Sequence, residues 1–541
     1  MSHITRDINK VTGTVIGISG KLILYALVIL LLAEGITRGY AFGHSLFYES
    51  SVEQAPGRDI TVTIPDGQKD SDTIHKLKKD GLIDNELAMR VQMKFYDYEI
   101  QPGTYINTLS QVSTAVNVGD KGIVAIAEPL SWGPVGVIQT IIPGDDVTPY
   151  IGYDITSDKA LFLREMMKGS TSVYGPAKIL LYRPAGTGGA KAAATVGNLT
   201  ATALYTGVRG NDITMVVSAD PDAEDTFSVS TVIDGSVVDE QNAKTVADLV
   251  KNDWVEFSGT GDLTASAGEA LIGGVDPTVA TADYSKFLTA LEPYRFDIVI
   301  YDGAEAVVKQ SYAAFVKRLS NDVGRKCQAV MADAATCDSE WVISVGNGVK
   351  LSDGTVITAQ QATWWLGGAE AGAKYNQSLT YARYPDAIEA EPKLTSSKVN
   401  AAIQAGQIVF IEEFDKVKVC TDINTLTSYT TTKQKEFSKN RVMRVLNQYC
   451  NDVYKECAEN YIGGGMNNNK SGRDLFKGWI IGYLNELQAN NGIKNFVADD
   501  VTVAEGNATD AITVTAYIQP VDSIEKIYMT VPVTRSSATT E

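Results

Sequence analysis

Residues 296–331 read FDIVIYDGAEAVVKQSYAAFVKRLSNDVGRKCQAVM. Apart from Asp297, the run 296–301 is apolar without alternation, the pattern of a strand buried on both faces. Asp302-Gly303 ends it, residues 308–319 have helical spacing, and 327–331 is a second buried strand. A strand, a helix and a strand in that order predict a crossover unit and a mostly parallel α/β sheet.

The same texture continues outward. Residues 123–127 (IVAIA) and 178–183 (KILLYR) read as further buried strands. An amphipathic helix over 158–168 lies between them, carrying Leu161, Phe162, Glu165 and Met166, and another helix covers 284–291. The pattern breaks at Pro184-Ala-Gly-Thr-Gly-Gly189, a Gly-rich linker. Short β-rich runs follow at 194–196, 213–217 and 226–233, with a hairpin signal at Asp234-Gly235. Gly273-Gly274 and Pro277 close this region. The reading is an inserted β-domain over 190–276 that splits the α/β core into 119–189 and 277–430.

Residues 431–541 read as an α+β C-terminal domain. A helix over 431–460 puts Phe437, Val442, Val445, Leu446, Tyr449 and Val453 on one face. Gly463-Gly-Gly465 and Asn467-Asn-Asn469 break it. Ser471 is the expected N-cap of the next helix, which carries Phe476, Ile480, Tyr483, Leu484 and Leu487. Two alternating strands close the chain, one lined by Ile512, Val514, Ala516 and Ile518, the other by Ile527, Met529, Val531 and Val533. Pro520 and Asp522 turn between them.

The first hundred residues have a different character. Residues 12–36 hold the run LILYALVILLLA at 22–33, long enough with its flanks to cross a bilayer as an N-terminal apolar helix. Arg6, Lys10 and Lys21 precede it and Arg38 follows, which favours a cytoplasmic N-terminus. No small-x-small cleavage site follows the apolar run. Residues 41–100 read as a small α+β domain: a strand ITVTI at 60–64, a turn Pro65-Asp-Gly67, then helix with Ile74, Leu77, Leu82 and Leu87, broken at Gly81. Residues 101–118 read as an extended arm in which Val112, Thr114, Val116 and Val118 alternate.

At 541 residues the chain needs several cores. Its net charge of −18 argues against a nucleic-acid partner. The five cysteines, Cys327, Cys337, Cys420, Cys450 and Cys457, show no C-x-x-C spacing and read as reduced thiols. The three histidines, His3, His44 and His75, all precede them, which argues against a zinc site, and a His-dependent hydrolase cannot be built from residues 76–541 alone. No catalytic residue, metal site or cofactor is expected.

Four motifs invite a site reading, and each has a plainer one. Residues 465–471 lack the Gly before Lys470 that a phosphate loop needs, and read as a helix connection. Gly186-Thr-Gly188 leads into β-texture and reads as a linker. Asp297 and Asp302 flank one strand and could share a metal, but strand-end aspartates more often form turns. Trp364-Trp365 beside Gly367-Gly368 could be a ligand platform, and reads better as core helix packing.

Several strings in order carry a family resemblance. IQPGTYIN at 100–107 leads to GIVAIAEPLSWGP at 122–134, and later come DINTL at 422–426 and RVMR at 441–444. Together they resemble contractile phage tail sheath proteins over residues 101–541. The resemblance implies a structural subunit that forms hexameric rings stacked helically around a tail tube. Its partners would be its own copies, the tube protein, the baseplate and the tail terminator. It also implies strand exchange, with arms from neighbouring copies completing a sheet on the C-terminal domain. Thr104, Tyr105, Ile106, Asn107, Val112, Thr114 and Val116 would form one arm, and Ile527, Met529, Val531 and Val533 the other. The particle would assemble in the host cytoplasm and end in a virion tail.

The pattern VTIPDG…IHKLKKDGLIDNELAMRVQMKF…PGTY resembles the small membrane-proximal domain of YceG-like (endolytic transglycosylase) proteins. Their catalytic domain has no counterpart here, so no such activity is implied. This second resemblance supports an alternative, a membrane-anchored cell-wall-associated binding protein that touches the membrane through residues 14–36. The two resemblances meet at Pro102-Gly-Thr-Tyr105 and imply opposite topologies, which points to a fusion at that string.

Overall fold

The computed structural model describes residues 59–65, 68–79, 83, 86–96, 103–108 and 121–533, apart from 221–222, 224, 464–465 and 532. The chain divides into two compact units, Met1–Val116 and Asn117–Glu541.

In the first unit, strand β1 (Asp59–Ile64) leads to helices α1 (Asp70–Lys79) and α2 (Glu86–Tyr96), and strand β2 (Gly103–Thr108) follows. Asp70 and Asp72 open α1 and Lys76, Lys78 and Lys79 close it, matching the helix dipole. The expected break at Gly81 falls between the two helices. β1 and β2 are antiparallel, from Asp59 opposite Thr108 to Ile64 opposite Gly103. Thr104, Tyr105, Ile106 and Asn107 thus pair inside this unit, and the division falls after Val116. The apolar segment 12–36 lies outside the described residues, among which no helix is long and apolar enough to cross a membrane.

The second unit is built on a seven-stranded sheet. Its strands are β3 (Ile123–Ala127), β4 (Ile138–Ile141), β5 (Lys178–Tyr182), then β13 (Ile298–Tyr301), β14 (Gln328–Ala332), β15 (Val342–Val345) and β19 (Gln407–Ile408). The order is β19-β15-β14-β13-β3-β5-β4, parallel throughout except for β4 on β5. Helix α3 (Leu161–Met167) precedes β5. Later come α4 (Thr281–Leu291), α5 (Ala306–Arg318), α6 (Ala359–Gly372) and α7 (Ser396–Gln404). One face of the sheet buries Ile126, Ile300 and Val330 with Phe162 and Trp365, and the other buries Val299, Ala329 and Met331 with Phe287, Tyr312 and Phe315. Both faces are covered, which is why these strands read as unbroken apolar runs. In α6, Gly368 lets the helix lie against α3, because a Cβ there would come within 1.9 Å of the Met166 carbonyl oxygen. Trp365 is fully buried and donates to the Gly169 carbonyl at 2.7 Å, so the Trp pair is core packing.

The insertion is a β-sandwich. One sheet orders β11 (Val255–Gly259), β7 (Leu199–Ala203) and β6 (Ala193–Val196). The other orders β10 (Ser236–Ala243), β9 (Phe227–Ile233), β8 (Ile213–Ala219) and β12 (Ser266–Ala270). The LSWGP turn explains how it is held. Trp132 leaves the core and buries among Leu199, Ile213 and Trp254 of the sandwich. Gly133 has φ +99°, and a Cβ there would meet the Tyr150 carbonyl oxygen at 1.9 Å. Arg183, at the end of β5, donates to the carbonyls of Leu130, Gly133 and Thr206 at 2.8, 2.7 and 2.6 Å. Burial lowers its guanidinium to about 10. From the sandwich side, Arg209 donates to the Gly152 carbonyl at 2.7 Å, grips Asp212 and Asp234, and lies 4.2 Å from the Tyr153 ring. A buried aromatic plug and two satisfied arginines make the insertion a docked body rather than a tethered one.

Candidate functional site

The C-terminal part holds helix α8 (Asn440–Glu456), helix α9 (Lys470–Ala489) and strands β22 (Val501–Glu505) and β23 (Ile512–Ala516). The expected cap moves by two residues: Asn469, not Ser471, caps α9 and accepts from the Gly472 amide at 2.9 Å. An Asn side chain reaches that third amide as well as a Ser can, and the helix starts earlier than the pattern suggested. Residues 469–471 therefore open a helix and form no phosphate loop.

The DINTL and RVMR strings fold together into a buried polar joint between the α/β core and α8. The Arg444 guanidinium donates to Glu370 Oε2 of α6 at 3.0 Å and to Asp422 Oδ2. Asn440 Nδ2 donates to Asp422 Oδ1 at 2.8 Å and to the Ile423 carbonyl at 3.0 Å. Asp422 Oδ2 also accepts from the Leu379 amide at 2.9 Å. Asn424 Nδ2 donates to the Phe437 carbonyl at 2.8 Å, and Thr425 exchanges hydrogen bonds with Ser339. Arg444, Glu370, Asp422 and Asn440 are all at least 97% buried. Two carboxyl groups face one guanidinium there. Burial, then repulsion from Asp422, pushes the Glu370 carboxyl well above the usual carboxylate range. Removing one partner from such a joint strands a buried charge.

The end of the chain departs from the expected hairpin. β23 pairs with β22, from Val501 opposite Ala516 to Glu505 opposite Ile512, and not with residues 526–534. Pro520 bridges to Ile493, the Lys494 amide donates to the Gln519 carbonyl, and the Val521 amide donates to the Gly492 carbonyl. Those bonds lead the chain away from β23 before the last alternating run begins. Ile527, Met529, Val531 and Val533 are 84%, 79%, 72% and 96% exposed, in no strand. Among the described residues, neither β22 nor β23 has a strand on its outer edge. An isolated pair of strands is marginal in water, and an unpaired edge is a template for another strand.

Thr104, Tyr105, Ile106 and Asn107 lie in β2, already paired with β1. Val112, Thr114 and Val116 fall outside the described residues. Asp297 and Asp302 sit at opposite ends of β13 and share no metal site. The first accepts from the Gly122 and Ile123 amides at 2.9 and 3.0 Å, and the second from the Trp364 indole at 2.8 Å. Asp302 also adjoins Glu128 on the neighbouring parallel strand. No cluster of three or more His, Cys, Asp or Glu residues able to hold a metal occurs among the described residues. Sequence reasoning missed Glu370, Thr380 and Glu525. Only Glu525 left a signal, as a lone acid before an apolar alternation.

The second unit is thus a split α/β core with a docked β-sandwich and a C-terminal domain whose last described residues lie exposed and in no strand. Family models match most of the second unit: the tail sheath protein Gp18 domain III N-terminal region at 121–183, the phage tail sheath protein beta-sandwich domain at 187–276, the central domain at 278–425 and the C-terminal domain at 432–534. The protein XkdK of the phage-like element PBSX in Bacillus subtilis is 34% identical over 459 residues, covering 80% of this chain and 97% of that protein. The crystal structure of a sheath tail protein from Desulfitobacterium hafniense is 44% identical with a TM-score of 0.71, over 79% of this chain and 99% of that one. A sheath tail protein from Listeria innocua is 32% identical with a TM-score of 0.65, over 76% and 95%. The chain belongs to the phage tail sheath protein family and is a structural subunit of a contractile tail sheath.

Proposed function

We propose that copies of this chain join by strand exchange into a tube of stacked hexameric rings around a tail tube, and that this lattice shortens when the baseplate releases it. The observation that carries the reading is the exposed apolar run 526–533 in the same unit as a two-stranded sheet with open edges. Each added strand contributes a few hydrogen bonds, each about 0.5–1.5 kcal/mol net, so strength comes from repetition around and along the tube. Ile527, Met529, Val531 and Val533 serve as the donor strand for a neighbouring copy. Val112, Thr114 and Val116 form the second arm. Thr104, Tyr105, Ile106 and Asn107 join it only where β2 leaves β1. The tail tube, the terminator and the baseplate are the remaining partners, and the assembled protein resides in the virion tail. The work comes from the conformational free energy of the extended lattice, so the reading needs no catalysis, cofactor or nucleotide.

Electron microscopy of the full chain and of a chain ending at Glu525 tests this. Striated tubes are expected from the first and none from the second. Tubes from the shortened chain refute the donor role of the C-terminal run, and a monomer that sediments with peptidoglycan favours the cell-wall reading.

A further inference from the structure

The free run does not simply trail from the last bonded residue. After the Val521 amide bond to Gly492, the chain is held once more, at Glu525. Its Oε1 accepts from the Thr380 hydroxyl at 2.7 Å, and its Oε2 pairs with the Lys439 ammonium. The ion pair is mostly shielded, with Glu525 11% and Lys439 19% exposed. From Lys526 onward, no hydrogen bond or ion pair holds a described residue. The two anchors belong to different bodies. Thr380 lies in the loop before strand β18 (Ala387–Glu391) of the core, and Lys439 is the N-cap of α8. The Thr380 hydroxyl oxygen also accepts from the Asp422 amide at 2.9 Å. Glu525 is thus hydrogen-bonded in sequence to Thr380, Asp422, Arg444 and Glu370, from the surface to helix α6.

We propose that Glu525 is the pin at which the fixed chain ends and the exchangeable strand begins, and that it passes tension from a neighbour's grip on the strand into the buried joint of its own subunit. This deepens the strand-exchange reading and rests on it. Without the pin, the chain would peel back through 522–524 to the Val521 bond. The donated strand would gain slack, and the lattice would lose the fixed spacing between a donor body and its acceptor. A partly buried charge-assisted pair resists such peeling far better than an exposed one. Glu525 acts through the strand it roots and is a positioning residue.

The test uses the full chain with Glu525→Gln, Lys439→Met and the exchanged pair Glu525→Lys with Lys439→Glu. Amide exchange of a peptide spanning 519–525 is followed in the free subunit, and tubes are then challenged with rising urea. Either single variant is expected to speed exchange at the Val521 amide roughly tenfold, as loss of a bond to a charged group predicts, and to leave exchange in α8 and the melting midpoint unchanged. Its tubes should form and then fragment at lower urea, and the exchanged pair should restore both readouts. Wild-type exchange and tube strength in Glu525→Gln overturn the pin alone. Tube formation by a chain ending at Glu525 overturns the strand-exchange reading beneath it, so the two failures are distinguishable.

Discussion

Gly103–Thr108 and residues 526–533 are both short runs with strand texture, yet the first is paired along its whole length with Asp59–Ile64 and the second, among the described residues, lies in no strand. Their sequences do not explain the difference. The difference lies in what the rest of each unit offers. The front unit contains a strand of matching length. In the second unit, β22 and β23 keep open edges, and the bonds at 492–494 and 519–521 hold the chain outside their pairing. An unpaired apolar run of this kind is a demand for a partner, and a paired one is a closed account.

The comparison can be broken most decisively by measuring exchange in both runs before and after assembly. Amides of 103–108 should be protected in the free subunit. Those of 527–531 should exchange freely until tubes form, then slow by about a hundredfold or more, because an exchanged strand is released only when the lattice opens. Protection of 527–531 in the free subunit would falsify the contrast. Next in size is the joint beneath the free run. Arg444→Ala strands two buried carboxyl groups and should cost about 3–5 kcal/mol, read as a lower urea midpoint of unfolding. Arg444→Met with Glu370→Leu should recover part of that loss.

Trp132→Ala tests whether the sandwich is rigidly docked. A buried Trp truncated to Ala costs about 3–5 kcal/mol. Here the loss should appear as new proteolysis at 184–189 while the central sheet keeps its protection. The smallest effects are pH-dependent. Burial, then the facing Asp302 carboxyl, raises Glu128 well above its ordinary range. Tyr284, Tyr301 and Tyr312 lie near this pair, and the Trp364 indole donates to Asp302. A raised carboxyl contributes stability that is complete below its unfolded value and is lost as pH rises through its folded value. Glu128→Gln should therefore flatten the decline of stability on the alkaline side of that range. Asp338 has the opposite sign. Burial pushes it up, but hydrogen bonds from Ser428 and Thr427 outweigh this and hold it at about 2. Its contribution is present above the ordinary aspartate range and is lost as pH falls toward about 2. Because the carboxyl is exposed, Asp338→Asn should shift the acid midpoint only slightly.

Much of the architecture is legible in the sequence. The runs at 123–127, 178–183, 296–301 and 327–331 are mostly apolar without alternation, the texture of strands covered on both faces. The linker at 184–189 and the β-texture after it marked the insertion because Gly and Pro punctuate chains for local steric reasons. The LSWGP string was legible as a signature, but its purpose was not. That Trp132 leaves its own sheet to plug another body depends on the docking of two domains, which no local pattern encodes. The Asp422 and Arg444 strings are legible in the same way, whereas nothing in the sequence marks Glu370 as their third member.

The sequence by itself determined which residues seek burial and with what period, and so the α/β core, the inserted β-domain and the unusual apolar end. Only the tertiary structure decided partnership: that 103–108 is matched at home, that 526–533 is not, and that Glu525 marks where the fixed chain stops. The physical reason is one of range. Side-chain periodicity acts over a few residues, whereas an edge is open or closed according to which distant segment reaches it first.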